Sequence, residues 1–194
     1  MESKRNIKQA YDMLAHAYED LHGEEQNIKH EAALRFLGKR ISGSILDVGC
    51  GTGILLPKVE NISRFIVGLD ISDQMLRVAL RKRKSIYSLI CADADNIPIR
   101  DRVFTATFAF TLIQNMPNPK KTLRELVRVT DESGTIVLTW HKSALSREEV
   151  YDLIQDEGLV LQEVPTGDDV RDYIYLCKRK DPSGRNGFNI EPQD

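Results

Sequence analysis

The sequence contains few cysteines, a single tryptophan and no long apolar run. Three of its 194 residues are cysteines, and Cys50, Cys91 and Cys177 show neither a CxxC pair nor Cys/His ligand spacing. No stretch approaches the roughly 20 apolar residues of a membrane span, and the first residues lack the apolar core of a secretory signal. We therefore expect a cytoplasmic protein without a membrane segment or a metal site, whose three thiols are buried and reduced.

An excess of either charge is also missing. The 27 lysines and arginines nearly balance the 29 aspartates and glutamates, which leaves a net charge of −2. This balance disfavours a generally basic nucleic-acid-binding protein. One basic run, residues 81–84, could contact RNA phosphates. It stands at the end of a predicted helix, however, where cations suit the helix dipole and are usually solvated.

The first forty residues show helical periodicity. Four apolar or aromatic side chains recur at spacings of three and four: Tyr11, Leu14, Tyr18 and Leu21. They share one helix face, and Gly23 is predicted to end that helix before a second one follows. We expect an N-terminal helical cap over residues 1–43.

From residue 44 onward, short apolar runs alternate with helical segments. The predicted strands cover 45–48, 64–69, 86–91, 103–113, 134–140, 159–164 and 170–178. Such alternation predicts an α/β fold, a doubly wound, seven-stranded and mostly parallel sheet with helices on both faces. The short turn between the last two strands predicts an antiparallel C-terminal hairpin. This domain would span 44–179, and the tail at 180–194 lacks periodicity and is expected to be disordered.

A glycine-rich turn follows the first predicted strand, and an acid precedes it. Residues 45–53 read ILDVGCGTG, with glycine at every second position of the turn. Glycine lets a ligand approach the main chain closely. A dinucleotide fingerprint would place its third glycine at position 54, where this chain has Ile54, and the lysine of a P-loop is absent. Because Asp47 would repel a pyrophosphate and attract a cation, the turn predicts a positively charged nucleoside ligand without phosphate.

Four segments together resemble the class I S-adenosylmethionine-dependent methyltransferases, which have a Rossmann-like fold. They are LDVGCGTG at 46–53, GLDIS at 68–72, CADADNIPI at 91–99 and the strand–helix segment 103–129. The resemblance covers roughly residues 10–179 and implies S-adenosyl-L-methionine as the cofactor. The chain departs from the family at Phe104-Thr105, where related enzymes often have phenylalanine followed by an aspartate that is usually structural.

The resemblance implies that the glycine turn lies under the cofactor. Asp47 resembles the acid near the methionine amino group. Gly49, Gly51 and Gly53 resemble the glycines that pass beneath the cofactor. Thr111 lies at or beyond the end of the fourth strand, near the expected position of the methyl group.

The same resemblance implies contacts with the nucleoside. Asp70 would bind both ribose hydroxyls, and Ile71 would pack on the adenine face. Asp93 would read the adenine amino group, with the backbone of Ala94 alongside. Tyr18 resembles a tyrosine that covers the cofactor in related enzymes.

Methyl transfer mainly requires that the acceptor be held in line with the methyl group. A general base is needed only if the acceptor must lose a proton, and His141, directly after the fifth strand, is the candidate for that role. A solvated loop histidine is the alternative interpretation. A small-molecule acceptor is our first hypothesis. The alternatives are a tRNA or protein acceptor with an activator subunit, and a cofactor-binding scaffold without catalysis.

Overall fold

The computed structural model describes residues 4–38, 43–82, 84–167 and 170–180. The helices are α1 (Lys4–Leu14), α2 (Tyr18–Leu37), α3 (Leu56–Val59), α4 (Asp73–Ala79), α5 (Pro119–Val129) and α6 (Arg147–Asp156). The strands are β1 (Gly43–Val48), β2 (Ser63–Asp70), β3 (Tyr87–Cys91), β4 (Phe104–Ala109), β5 (Thr130–His141), β6 (Leu159–Glu163) and β7 (Asp172–Arg179). Short 3-10 turns cover Glu60–Ile62, Leu80–Lys82 and Ile113–Asn115.

The seven strands of the described chain form one sheet in the order β3-β2-β1-β4-β5-β7-β6. β1 pairs in parallel with β2 and β4, and the same holds for β2 with β3 and β4 with β5. β7 runs antiparallel between β5 and β6. This confirms the predicted mostly parallel sheet with an antiparallel hairpin strand. The strand order reverses between β1 and β4, and in open α/β sheets ligands bind in the crevice beyond the carboxyl ends of the strands at that point.

The core lies on both faces of the sheet. Ile45 packs on one face with Phe108 and Leu37, whereas its neighbour Leu46 packs on the other with Trp140. Successive strand residues point to opposite faces, so a strand buried on both sides consists almost entirely of apolar residues. This explains why residues 45–48 of β1 are apolar except for Asp47.

The helix ends follow their sequence signals. The Ser72 hydroxyl accepts a hydrogen bond from Met75 N and caps α4. Ser146 and Glu149 form both hydrogen bonds of a capping box at the start of α6. Gly158 follows that helix with a φ of 74°, the left-handed conformation that glycine adopts readily.

The predicted helix break at Gly23 is wrong. Gly23 is buried inside α2, and the break lies at residues 15–17 instead. Leu21, expected on the apolar face, is 61% exposed. A glycine inside a helix costs only about 1 kcal/mol, and α2 offsets this by burying a stripe against the sheet. That stripe has helical spacing and runs through Gly23, Gln26, His30, Ala33 and Leu37.

Two further expectations need correction. Cys91 is exposed, not buried, because it ends β3 at the edge of the sheet. The fourth strand ends at Ala109, not at residue 113. Thr111 adopts a left-handed backbone with a φ of 53°, which an extended strand cannot contain.

The division of the chain into a cap, a domain and a tail stays a prediction. Residues 181–194, expected to be disordered, lie outside the described residues. Within the described part of the chain, the helices are too short or too polar to span a bilayer.

Candidate functional site

Three adjoining cavities open at the carboxyl ends of the central strands. The strand-end cavity is lined mainly by Lys4, Tyr11, Tyr18, Gly49, Gly51, Asp70, Ile71, Asp93, Ala94, Thr111 and Asn115. The turn pocket includes Tyr18, Gln26, His30, Asp47, Gly49, Gly51, Thr52 and Phe110. The helix-side cavity, of about 380 Å³, includes Tyr11, Tyr18, His22, Glu25, Gln26, Thr111, Asn115, His141 and Arg171. The structure therefore brings together the predicted site residues, Gly53 excepted.

The glycine turn forms an open cradle. Gly49 and Gly51 have φ values of 74° and 52°. The amides of Gly49 and Cys50 both donate to the Leu69 carbonyl, which fastens the turn to β2. Apart from its two chain neighbours, a Cβ at Gly51 would meet no atom of the described residues within 4 Å, so this position leaves room for a ligand. A Cβ at Gly53 would lie 3.1 Å from Leu56, which assigns Gly53 to helix packing.

Asp70 joins the glycine turn to the start of α4. Its Oδ1 accepts from Ser72 N and its Oδ2 from Gly51 N, each at 2.8 Å. Burial raises the pKa of this carboxyl group, and the backbone donors oppose the rise. Each oxygen has a second lone pair. The carboxylate can therefore hold the turn and still accept hydrogen bonds from a ligand in the strand-end cavity.

Asp47 lies in the turn pocket beside unsatisfied polar atoms. Burial, assisted by the charge of Asp70, raises the pKa of Asp47 to about 8. His30 Nδ1 and Thr52 Oγ1 are buried without a hydrogen-bond partner among the described residues. Against the effect of burial, Lys82 and then the nearby Thr52 hydroxyl lower the pKa of Glu19, although Thr52 Oγ1 stands outside normal hydrogen-bond geometry. An amino-acid end group, which carries an ammonium and a carboxylate, would satisfy this combination of one acid and two free polar atoms.

His30 is an unusual core residue. Burial, with the charges of Lys58 and Lys29, lowers its pKa to about 3, so the ring is neutral. The ring meets Phe110 edge-on, with centroids 4.5 Å apart. A neutral imidazole can place its proton on either nitrogen, so Nδ1 can donate to a ligand in the pocket.

Asp93 is bound by a lysine of the first helix. Lys4 Nζ lies 2.7 Å from both Asp93 oxygens and also contacts Asp95. Burial opposes the shift, but Lys4 and the Asp95 amide lower the pKa of Asp93. α1 has no buried residue, so ion pairs such as this one attach it to the sheet.

Thr111 forms the wall between the strand-end and helix-side cavities. Its amide donates to Thr139 Oγ1 at 2.7 Å, and its carbonyl accepts from Asn115 Nδ2 at 2.9 Å. Its hydroxyl oxygen lies 3.2 Å from Gln26 Nε2 and 3.1 Å from Lys29 Nζ. A left-handed backbone at such a residue costs about 1–3 kcal/mol and persists only when its surroundings enforce it.

His141 faces the helix-side cavity, with its ring bound to the following loop. Nδ1 lies 3.2 Å from the Ser143 amide nitrogen and 2.7 Å from Ser143 Oγ. A backbone N–H can only donate, so Nδ1 accepts and the proton of a neutral ring lies on Nε2. In this arrangement Nε2 is a hydrogen-bond donor. The ring would have to release Ser143 before it accepts a proton.

Comparison with known proteins shows which family the sequence around this site matches. Residues 46–138 match the family described as "Methyltransferase domain". The match supports a class I S-adenosylmethionine-dependent methyltransferase domain in this chain. The matched residues run from β1 into β5 and contain the glycine turn, Asp47, Asp70, Asp93 and Thr111.

Two curated relatives resemble the methyltransferase domain in sequence. The malonyl-[acyl-carrier protein] O-methyltransferase of Marinomonas sp. is 31% identical over 140 residues, which cover 70% of this chain and 52% of that protein. The demethylmenaquinone methyltransferase of Staphylococcus saprophyticus is 32% identical over 139 residues, covering 69% of this chain and 58% of that protein. The aligned part of the chain thus spans little more than half the length of these relatives.

A solved structure shows the same fold. It is a chain of the Haloferax volcanii complex between the Trm112 methyltransferase activator and a methyltransferase. The TM-score is 0.72 at 18% identity, and the match covers 87% of this chain and 96% of that one. At this level of identity, the likeness establishes the fold of the domain and no more.

Several polar residues at the methyltransferase site were not predicted from the sequence. Lys4 reaches Asp93 across 89 positions of the chain, and no local pattern announces such a contact. Gln26 and His30 did leave a signal, because they continue the helical stripe of Ala33 and Leu37. Polar residues at core-facing positions of a helix need partners, and here those partners lie at the site.

Proposed function

We propose that this chain transfers the methyl group of S-adenosylmethionine to a small molecule held in the helix-side cavity. One observation carries the proposal. Three aspartates stand at the carboxyl ends of β1, β2 and β3, around a glycine turn that leaves a cradle open. The cavity next to this cradle is separated from it by Thr111.

The residues present fit the proposed cofactor. The pair Asp47 and His30 suits the two charged groups of its methionine end, and Asp70 retains free lone pairs for ribose hydroxyls. Asp93 would accept from the adenine amino group, beside Ile71 and Ala94. Bound S-adenosylmethionine supplies a methyl group on a sulfonium, which is both the electrophile and the leaving group.

The protein's own contribution is then to place the acceptor and exclude water. Correct placement of reactants can lower a barrier by about 7–11 kcal/mol. Tyr11 and Tyr18 border both the strand-end and helix-side cavities, where they can cover the reacting atoms. The volume of the helix-side cavity lies within the roughly 300–1,000 Å³ of small-molecule sites, which favours a small acceptor.

A second candidate is a methyltransferase that acts on tRNA or protein together with an activator subunit. A chain with the same fold occurs in a complex with a methyltransferase activator, and the test below therefore includes this candidate. An activator would be recovered with the full chain from host cells, and its addition would raise the rate of methyl transfer.

The acceptor class can be tested with methyl-labelled S-adenosylmethionine and a host extract. After incubation with the full chain, small molecules, RNA and protein are separated, and we expect the label among the small molecules. Label in RNA or protein would support the second candidate. Cofactor binding without transfer to any fraction would identify a non-catalytic scaffold.

A further inference from the structure

The Lys29 ammonium is buried where three parts of the fold meet. Its side chain is 1% exposed, and Nζ lies 2.8 Å from Asp172 Oδ2 at the start of β7 and 2.8 Å from Glu25 Oε1 in α2. The third neighbour is Thr111 Oγ1, at 3.1 Å. An ammonium has three N–H donors, so these three acceptors satisfy it fully. A buried charge that lacks such partners is strongly destabilising, which fixes the position of Lys29.

Thr111 is held at every polar atom. Its amide is bound to β5, its carbonyl to Asn115 and its hydroxyl oxygen to two residues of α2. These bonds hold its left-handed backbone, with a φ of 53°. Two of the residues that bond Thr111, Gln26 and Lys29, belong to α2. The Lys29–Asp172 pair joins α2 to β7, so this pair anchors Thr111 at the wall between the two cavities.

The bonds of Thr111 also determine the direction of its hydroxyl proton. Lys29 Nζ can only donate, and so can Gln26 Nε2, the amide atom that is assigned toward Thr111, so the two occupy both lone pairs of the hydroxyl oxygen. The proton must then be donated to a third atom, and the bonds among the described residues supply none. Because Thr111 lines the strand-end and helix-side cavities, that third atom lies in one of these cavities, where a bound acceptor can supply it in place of water.

We propose that Lys29 is a positioning residue that fixes Thr111 as a hydrogen-bond donor at the wall between the two cavities. This inference rests on the methyl transfer proposed above. It predicts that the methyl acceptor carries an oxygen or nitrogen lone pair next to the atom that is methylated. This lone pair would accept the hydrogen bond from the Thr111 hydroxyl. The hydrogen bond from the Lys29 ammonium polarises the hydroxyl, which makes it a stronger donor.

Two pairs of variants test this role in the full chain. Thr111→Val removes the hydroxyl and keeps the side-chain shape, while Thr111→Ser keeps the hydroxyl as the matched control. Lys29→Met alone would leave Asp172 buried and unpaired. It is therefore combined with Asp172→Asn, which removes both charges together.

The kinetic readout separates positioning from stability. A dilution series of the accepting extract fraction, at saturating cofactor, gives an apparent kcat and KM. We expect Thr111→Val and the double variant to lower kcat at least 10-fold, with the calorimetric affinity for S-adenosylmethionine within 3-fold of wild type. Thr111→Ser should recover kcat to within 3-fold. A merely structural role would lower the melting temperature and leave kcat of the folded protein unchanged.

A spectroscopic readout needs no acceptor. A buried and fully bonded ammonium exchanges its protons slowly, so Lys29 should give a resolved proton–nitrogen NMR signal in wild type. Thr111→Val should shift that signal, and Thr111→Ser should leave it in place. A signal insensitive to Thr111→Val would overturn the inference, as would a Thr111→Val variant that turns over like wild type. A wild-type chain that labels no fraction would overturn the proposed function and, with it, this inference. Because that result needs no variant, it is distinguishable from a failure of the inference alone.

Discussion

The two sides of the site are built in different ways. The cofactor side consists of strand ends and a glycine turn, in which backbone amides bind Asp70 and glycine makes room for a ligand. The acceptor side consists of side chains from distant segments, and it is supported by contacts such as the Lys29–Asp172 pair, whose members are 143 positions apart. The difference teaches that a site built from backbone leaves a compact sequence motif, whereas a site built from long-range side-chain contacts does not.

The comparison predicts that removal of one acid on the cofactor side strongly lowers the affinity for the cofactor. Asp70→Ala should weaken S-adenosylmethionine binding at least about 100-fold, because two hydrogen bonds to a charged group are worth about 1.5–3 kcal/mol each. Calorimetry measures the affinity, and circular dichroism checks the fold. Asp73→Ala, three residues away and half-exposed, is the control and should bind normally. Near-normal affinity of Asp70→Ala would show that the ribose site lies elsewhere.

On the acceptor side, a substitution should change turnover and leave cofactor affinity intact. His141→Ala removes one of the polar groups that face the helix-side cavity. We expect label transfer to fall about 10-fold, less than the roughly 10²–10⁴-fold of a general base, because the ring is held by Ser143. S-adenosylmethionine affinity should stay within twofold. His16→Ala, on an exposed segment between α1 and α2, is the matched histidine control. A parallel loss of cofactor affinity would contradict the separation of the two sides.

The buried Asp47 predicts a stability that depends on pH. Its folded pKa of about 8 exceeds its ordinary value of 3.8, so between these values the folded state binds the proton more tightly than the unfolded state. The contribution of protonated Asp47 to the free energy of unfolding is fully present below about pH 4, and it is lost as the pH rises toward 8. From pH 6 to 8 the wild type should lose a few degrees of melting temperature more than Asp47→Asn, at about 2–4 °C per kcal/mol. Equal slopes for the two proteins would show that Asp47 is ionised throughout.

The smallest effect is expected at α1, which ion pairs hold on the surface. The Lys4–Asp93 pair is partly exposed, and such pairs contribute about 0.2–1 kcal/mol. Lys4→Met should therefore weaken cofactor binding less than about fivefold. The difference from wild type should shrink at high salt, which screens the pair. Arg5→Met, on the neighbouring exposed position, is the control, and a salt-independent loss would contradict an electrostatic attachment.

Much of the fold could be predicted because its signals are local. Alternating apolar runs predicted the sheet, and the helix ends described above coincide with capping residues in the neighbouring sequence. Gly23 misled the prediction, since burial of the α2 stripe outweighed the helix propensity of one glycine. Thr111 ends β4 early through contacts made by Gln26, Lys29 and Thr139. Contacts of this range leave no pattern in the neighbouring sequence.

The same distinction applies to the site. Asp47, Asp70 and Asp93 were predicted from motifs at strand ends, and the structure places them around adjoining cavities. Their contacts with S-adenosylmethionine stay predictions. His141 was predicted from its place after β5, but the orientation of its ring depends on Ser143, and no motif records that bond.

The most direct test of the account is a calorimetric titration of the full chain with S-adenosylmethionine at pH 7. Two buffers of different ionisation enthalpy are used. We predict one site per chain and a release of protons to the buffer, because the cofactor ammonium stabilises the ionised form of Asp47, whose pKa is about 8 in the free protein. Asp47→Asn should bind more weakly and release fewer protons. No binding by wild-type protein that is correctly folded would contradict the account.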